Sequence, residues 1–206
     1  MPTVSSRDRI LLSARRLFAR NGYENTSTVA IAREAGTSES QLMKHFGSKQ
    51  GLLGAIFDYG WAAVMQRAET GLGSASPAER LYKVLEAMVV ELESEPELKD
   101  LMMLEARRVR KDNRDVLMSR GYQQFAATID GLLAEMRSVG QMREGVRLDA
   151  ARAGLIGMME GLVRDQVVAK RSELRADYNF DDIRKLLGLV LSALGTVARP
   201  LQAVNQ

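Results

Sequence analysis

The segment TSTVAIAREAGTSESQLMKHFGSK, residues 26–49, constrains the fold more than any other part of the chain. It places two short apolar patterns on either side of a sharp break at EAGTS. Helices this short are marginal in water by themselves, because helix nucleation is costly and tertiary packing supplies most of their stability in proteins. The segment therefore predicts two helices that pack on each other and on a neighbouring helix.

The spacing of three residues predicts a helix-turn-helix: Ala32, Gly36 and Leu42. Two helices that nearly touch need a small side chain at the contact, and glycine tolerates the positive φ of the turn between them. Leu42 anchors the second helix, and Phe46 adds to the same core. Generic helical hairpins with a glycine turn have the same spacing, so the spacing by itself leaves both interpretations open.

Capping signals define where several helices begin and end. Ser38, followed three residues later by Gln41, is a capping box that starts the second short helix directly after Ser38. Gly22 ends the amphipathic helix that precedes the segment. Ser76 and Pro77 have the preferences of an N-cap and a first helical residue, which predicts a helix start just after the turn-rich stretch GLGSAS.

Helical periodicity continues along the remaining chain, whereas alternation of the strand type is hard to find. The chain is predicted to be all-α, with about nine helices. An N-terminal three-helix helix-turn-helix module is expected at residues 1–50, and a larger helical domain at residues 51–206. The apolar fraction of 46% and the charged fraction of 27% are those of an ordinary globular protein.

The positive charge of the chain is concentrated at its N-terminal end. Residues 1–55 contain eight basic and four acidic side chains, a net charge of +4, whereas the whole chain has a net charge of only +3. The remaining residues therefore have a net charge of −1. A basic excess confined to one module is typical of contact with a polyanion such as nucleic acid.

Residue types required for most enzymes are scarce. The chain has no cysteine, a single histidine, and no nucleophile-elbow, phosphate-loop or zinc-binding spacing. We therefore expect no catalytic residues, no metal and no cofactor. The absence of cysteine, of a secretory signal and of a long apolar run leads us to expect a cytoplasmic protein that does not associate with a membrane.

The densely patterned segment at residues 9–53 resembles the DNA-binding domain of the TetR (tetracycline-repressor-like) family of bacterial transcriptional regulators. The residues that match the family pattern are Ile10, Ala14, Phe18, Gly22, Tyr23, Thr28, Ile31, Ala32, Ala35, Gly36, Ser38, Leu42, His45, Phe46, Ser48, Lys49, Leu52 and Leu53. The remainder of the chain is similar to this family only in its length and in the number and order of its helices.

The resemblance implies a homodimer that associates with the nucleoid and binds a roughly palindromic operator in double-stranded DNA. Residues 1–50 would be its DNA-binding domain, and residues 51–206 its ligand-binding and dimerisation domain. Its two helix-turn-helix modules would enter successive major grooves, at half-sites about 34–36 Å or slightly more apart. Members of the family are usually repressors that release DNA when a small-molecule effector binds the C-terminal core. A second possibility is a protein of the same fold that acts on DNA through a protein partner, without a small-molecule effector.

The first turn of the second short helix is expected to face the base edges. Gln41 can pair with adenine through two hydrogen bonds, and Lys44 can donate to guanine or to phosphate. Ser40 suits a base or the backbone. Glu39 can accept from cytosine N4, or it can simply complement the helix dipole.

Four residues are expected at the phosphates: Thr28, Ser38, His45 and Lys49. Thr28 is predicted to cap the first short helix, and Lys49 lies at the start of the helix that follows. His45 could instead serve as packing. The chain departs from the family pattern at Ser40, where a glycine-like residue is usual, and at Met43, where a tyrosine is usual, which places one backbone contact in question.

The C-terminal helices offer candidates for a dimer interface and an effector site. Dimer contacts are expected from Gly154, Gly157, Gly161, Leu187, Val190, Leu191 and Leu194, unless these faces form the core of a single chain. The chain has eleven methionines, and this adaptable side chain suits an apolar or amphipathic effector, although methionine is also common in cores. The candidate effector residues are Met88, Met102, Met103, Glu105, Arg107, Tyr122, Phe125 and Met158.

Overall fold

A computed structural model of the chain describes residues 5–70, 75–102, 118–169, 172–173 and 175–195. Within these ranges it contains nine α-helices: α1 (Ser6–Asn21), α2 (Thr28–Glu34), α3 (Glu39–Phe46), α4 (Lys49–Glu69), α5 (Pro77–Ser94), α6 (Pro96–Met102), α7 (Arg120–Ser138), α8 (Leu148–Ala169) and α9 (Phe180–Leu194). The extended pairing in the described residues is one isolated bridge, between Met142 and Gly195. The predicted all-α class is confirmed.

The helix boundaries follow from the capping chemistry of the sequence. Gly22 ends α1 with φ +82°, and Gly36 has φ +63° in the turn between α2 and α3, which are conformations that side chains with a Cβ rarely adopt. Ser76 starts α5, because its Oγ accepts from the Glu79 amide while its own amide donates to the Glu79 carboxylate at 2.7 Å. These local signals position the short helices before any tertiary contact is considered.

The chain packs into two compact units. The first combines Met1–Trp61 with Glu95–Tyr122, and the second combines Ala62–Ser94 with Gln123–Gln206. Helix α6 therefore belongs to the same unit as the helix-turn-helix. The division into functional domains at residue 50 stays a prediction.

In the first unit, α1 is the helix against which the others assemble. It packs on α2, α3 and α6. Ile10, Ala14 and Phe18 on α1 are at most 2% exposed and form the centre of the core. On another face of α1, Arg15 pairs with Glu95 at 3.1 Å and with Glu97 at 3.3 Å, which holds the start of α6 against α1.

In the second unit, α5 and α9 form the most extensive helix pair. Arg184 of α9 lies within 3.7 Å of the Glu86 carboxylate and 3.3 Å of the Glu93 carboxylate, both on α5. The end of α9 is also fixed, because the Arg143 amide, in the turn before α8, donates to the Leu194 carbonyl at 3.0 Å. Helix α9 is therefore held along its length by its own chain.

The packing of α9 corrects part of the predicted dimer interface. Leu187 is fully buried and Leu191 is 4% exposed, so both lie in the core of the single chain and offer no surface to a partner. The exposed leucines of α9 are instead Leu186 and Leu189, at 38% and 66%. The periodicity of α9 predicts an apolar helix, and the structure has one. Two faces of this helix carry leucines, however, and the sequence alone does not tell which face lies in the core.

Candidate nucleic-acid interface

Helix α3 is held from beneath and presents most of its side chains outward. Leu42 is fully buried under it, against α1 and α2. Ser40, Gln41 and Lys44 are exposed, and in the described residues their side chains make no hydrogen bond or ion pair. A short helix fixed by one buried anchor therefore offers three unengaged polar side chains in the geometry of a recognition helix.

The start of α3 is set by Ser38. Its Oγ accepts from the Gln41 amide at 3.2 Å, as the sequence predicts. The reciprocal bond of a capping box, in which the Ser38 amide would donate to the Gln41 side-chain oxygen, is not formed among these described residues. The Gln41 carboxamide is consequently left for other partners, and the Ser38 hydroxyl still has its proton to donate.

Thr28 has a different role from the predicted one. The N-cap of α2 is Ser27, whose Oγ accepts from the Ala30 amide at 3.1 Å, so the assignment of the cap to Thr28 was wrong. Thr28 is the first helical residue, and its hydroxyl donates to Oε1 of Glu39 at the start of α3. Two adjacent hydroxyl residues made the cap ambiguous in the sequence, and the difference matters because it frees the Thr28 hydroxyl for Glu39.

His45 is connected to the first helix. Its Nε2 shares a hydrogen bond of 3.0 Å with Oγ of Ser6, and its ring lies 6.1 Å from that of Phe46. The Phe46 ring is half-buried, and the Arg7 guanidinium lies 5.3 Å from its centroid. The end of α3 is thus tied to the start of α1 by side chains that carry hydrogen-bond donors and positive charge.

Lys49, at the start of α4, is anchored in the free protein. Its ammonium lies 4.4 Å from the centroid of the Tyr23 ring and donates to the Glu24 carbonyl at 3.3 Å. One of its three protons is used in this way, and the others remain for a phosphate. Tyr23 in turn packs on Phe18 of α1, at 5.2 Å between ring centroids.

Sequence reasoning missed three side chains that shape this surface. Ser6 and Arg7 lie 39 residues from the groups they contact in α3, and no local pattern links such distant positions. Arg9 donates from Nε to the Ala35 carbonyl at 3.1 Å, which satisfies a carbonyl at the C-terminal end of α2. The excess of basic residues at the N-terminal end of the chain was the signal available in the sequence. This excess does not distinguish arginines that bond to groups of the protein from arginines that would contact DNA.

The helix-turn-helix residues match a known family. Residues 10–56 match the family described as bacterial regulatory proteins, tetR family. The N-terminal segment therefore contains the DNA-binding domain of this family, and the protein is a DNA-binding transcriptional regulator, as the sequence predicted.

Relatives of this regulator match it over most of its length. The fatty acid metabolism regulator protein of Bacillus subtilis is 25% identical over 162 residues, which are 77% of this chain and 82% of the relative. The nucleoid occlusion factor SlmA of Photobacterium profundum is 25% identical over 194 residues, or 91% and 96% of the two chains. The structure of FadR from Bacillus subtilis in complex with stearoyl-CoA has a TM-score of 0.77 and 22% identity, covering 91% of this chain and 97% of FadR.

The described candidate effector residues are distributed over both units. Met102 and Tyr122 belong to the first unit, where the Tyr122 ring meets Trp61 edge-on at 5.4 Å. The second unit contains the fully buried Phe125, the nearly buried Met88 and the half-buried Met158. The other three candidates, Met103, Glu105 and Arg107, lie outside the described residues, and an effector site built from these side chains stays a prediction.

The glycines of α8 lie on an open face. A Cβ added to Gly154, Gly157 or Gly161 would meet no atom within 4 Å. Val168, 43% exposed, continues the same face toward the end of α8. On α9, Val190 and Leu194 are half-buried beside the exposed Leu186 and Leu189. Within the described residues, α8 and α9 thus each have a face that no other element covers and that a partner could approach closely.

The described residues contain neither a candidate metal site nor a candidate membrane span. No three His, Asp or Glu side chains in these ranges are grouped to hold a metal ion. In the same part of the chain, no helix combines the length and the apolarity needed to cross a bilayer.

Proposed function

We propose that this protein is a dimeric transcriptional repressor that binds a palindromic operator and is released by a small-molecule effector. The observation that supports this most directly is the α3 face, where Ser40, Gln41 and Lys44 project from a helix anchored by the buried Leu42. Base edges are read by side chains that are rigidly presented but otherwise unengaged. The protein acts by binding DNA and not by catalysis, and it works where the chromosome is, in the cytoplasm.

Dimerisation is proposed through α8 and α9. Gly154, Gly157 and Gly161 let a partner helix approach closely, and Leu189 and Leu186 supply exposed apolar area that a partner would bury. A two-fold axis between two such chains makes the two recognition helices equivalent, which requires a two-fold operator. Val190 and Leu194 complete the proposed interface.

The effector is proposed to be amphipathic, with a long acyl chain. Two findings support this class: a relative from Bacillus subtilis is named a fatty acid metabolism regulator, and the structure of FadR from the same organism contains stearoyl-CoA. The methionine content of this chain is consistent with a cavity that adapts to a flexible apolar chain. Metals and organic cofactors are not part of the proposal.

Selection of genome fragments by the purified protein at physiological salt tests DNA recognition. A single enriched motif with two-fold symmetry supports the proposal, and diffuse enrichment contradicts it. Stearoyl-CoA is then titrated into the complex with the selected operator, with coenzyme A alone as the control. Release of the operator by stearoyl-CoA, but not by coenzyme A, supports the effector class. A complex that stays bound to the operator in the presence of every acyl compound tested favours action through a protein partner.

Two substitutions separate base contacts from backbone contacts. We expect Gln41→Ala to relax specificity at one base pair of each half-site, with a loss of about 1–3 kcal/mol on the operator and little on random DNA. Lys49→Ala is expected to weaken binding to all sequences alike and to lower the slope of log affinity against log salt by about one for each half-site. Binding isotherms on operator and random duplexes at several salt concentrations measure both effects.

Each variant serves as the control for the other. Both leave Leu42 and the α3 N-cap unchanged, so thermal unfolding should be similar to that of the parent protein. Equal losses on operator and random DNA from both substitutions would contradict the assigned roles.

A further inference from the structure

We propose that Glu39, held in place by Thr28, reads one G·C base pair of each half-site by accepting a hydrogen bond from cytosine N4 in the major groove. The inference rests on the proposed function, because it assumes that α3 enters the major groove of an operator. It adds a specificity-determining residue, Glu39, and a positioning residue, Thr28, which contacts no base.

The geometry fixes one carboxylate oxygen and leaves the other available. Thr28 Oγ1 donates to Oε1 of Glu39, across the turn that joins α2 to α3. Because Ser27 caps α2, the Thr28 hydroxyl is not needed for the helix end. Thr28 is half-buried and β-branched, so its side chain has few alternative rotamers, and the exposed Glu39 carboxylate is held in one orientation.

The bond also changes what Thr28 can do at DNA. A hydroxyl has a single proton to donate, and phosphate oxygens only accept. While Thr28 donates to Glu39, it cannot donate to a phosphate as well. The hydroxyl that the family resemblance assigns to the DNA backbone is therefore committed in this chain to orienting an acidic side chain of the recognition helix.

The charge of Glu39 makes its choice of base strict. Among the described residues Glu39 forms no ion pair, so its negative charge reaches the DNA without compensation. A carboxylate only accepts hydrogen bonds, and the major-groove groups that donate are cytosine N4 and adenine N6. Adenine places its N7 acceptor beside that donor, and guanine and thymine offer acceptors. Cytosine is the partner that suits Oε2 best.

Four proteins test the inference: the parent chain and its Glu39→Gln, Thr28→Val and Thr28→Ser variants. Each selects from a randomised duplex pool, and each is then titrated against the parent motif and against that motif with its cytosine replaced. We expect the parent to enrich one symmetric pair of positions with cytosine and to discriminate about ten- to a hundredfold there. Glu39→Gln should lose this preference and gain adenine, because a carboxamide both donates and accepts.

The threonine variants test the positioning role. Thr28→Val keeps the shape but removes the hydroxyl, and it should reduce discrimination at the cytosine position while other positions keep theirs. Thr28→Ser keeps a hydroxyl and should retain the parent preference. Thermal unfolding of all four proteins shows whether the hydrogen bond between Thr28 and Glu39 only stabilises the fold. A bond with that role alone would change the melting temperature of the variants and leave the selected DNA motif unchanged.

Several results would overturn the inference. One is an unchanged motif in Glu39→Gln or in Thr28→Val. Another is uniformly tighter binding of Glu39→Gln to every sequence, which would mean that the carboxylate only repels the DNA backbone. Failure of the proposed function is distinguishable, because it would be seen in the parent protein as the absence of any motif.

Discussion

Leu189→Arg should convert the protein to a monomer and weaken operator binding at least a hundredfold. Leu189 is 66% exposed in the single chain, which makes it the most exposed of the large apolar side chains described. If α9 packs on its twin, two-fold symmetry brings two introduced guanidinium groups into one desolvated contact, a change that costs about 3 kcal/mol or more. Sedimentation velocity and operator titration at the same protein concentrations measure the two effects together.

Val139→Arg is the matched control. Val139 is 56% exposed after the end of α7, outside the proposed interface, and the substitution adds the same charge. It should leave the protein dimeric, with operator affinity equal to or slightly above that of the parent because of the added positive charge. A dimeric Leu189→Arg protein would remove α9 from the interface, whatever the affinity for DNA.

Gly51→Ala is expected to destabilise the protein and to displace the recognition helix. A Cβ at Gly51 would lie 2.1 Å from the carbonyl oxygen of Phe46, the last residue of α3. Because that oxygen belongs to the backbone, no side-chain rotation can relieve the contact, and α3 and α4 must separate. We expect a loss of about 1–3 kcal/mol in the free energy of unfolding, together with weaker binding to the operator.

Gly54→Ala provides the comparison within α4. A Cβ at Gly54 would meet no atom within 4 Å, and alanine has the higher helix propensity by about 1 kcal/mol. Gly54→Ala should therefore raise the melting temperature, whereas Gly51→Ala lowers it, as measured by thermal or urea unfolding. If both substitutions shift stability in the same direction, the close approach of α3 and α4 at Gly51 is not a determinant of the fold.

The fold could be predicted from the sequence because its signals are local. Glycines with positive φ, serine caps and apolar periodicity act within a few residues of each other, and they defined the helix-turn-helix in advance. For a helix with two apolar faces, by contrast, residues far away in the chain determine which face is buried in the core. This is why Leu187 and Leu191 were assigned to a partner chain, although they lie in the core of their own.

The sequence predicts which residues lie on the candidate DNA surface, but it does not predict the contacts that these residues make within the protein. Gln41 and Lys44 were expected to project from α3, and they do so without other partners in the described part of the chain. The contact between Ser6 and His45 joins residues far apart in the chain, and the choice of Ser27 over Thr28 as the cap depends on backbone geometry. Neither is encoded in a short pattern, so only the three-dimensional arrangement reveals them.

The anchoring of Lys49 shifts an entropic cost from binding to folding. A lysine that swings freely loses up to about 2 kcal/mol of rotamer entropy when a phosphate immobilises it. Here Tyr23 and the Glu24 carbonyl already restrict the side chain in the free protein. In the proposed complex this cation therefore meets its phosphate with little further loss of freedom, so that more of its electrostatic attraction is retained as affinity.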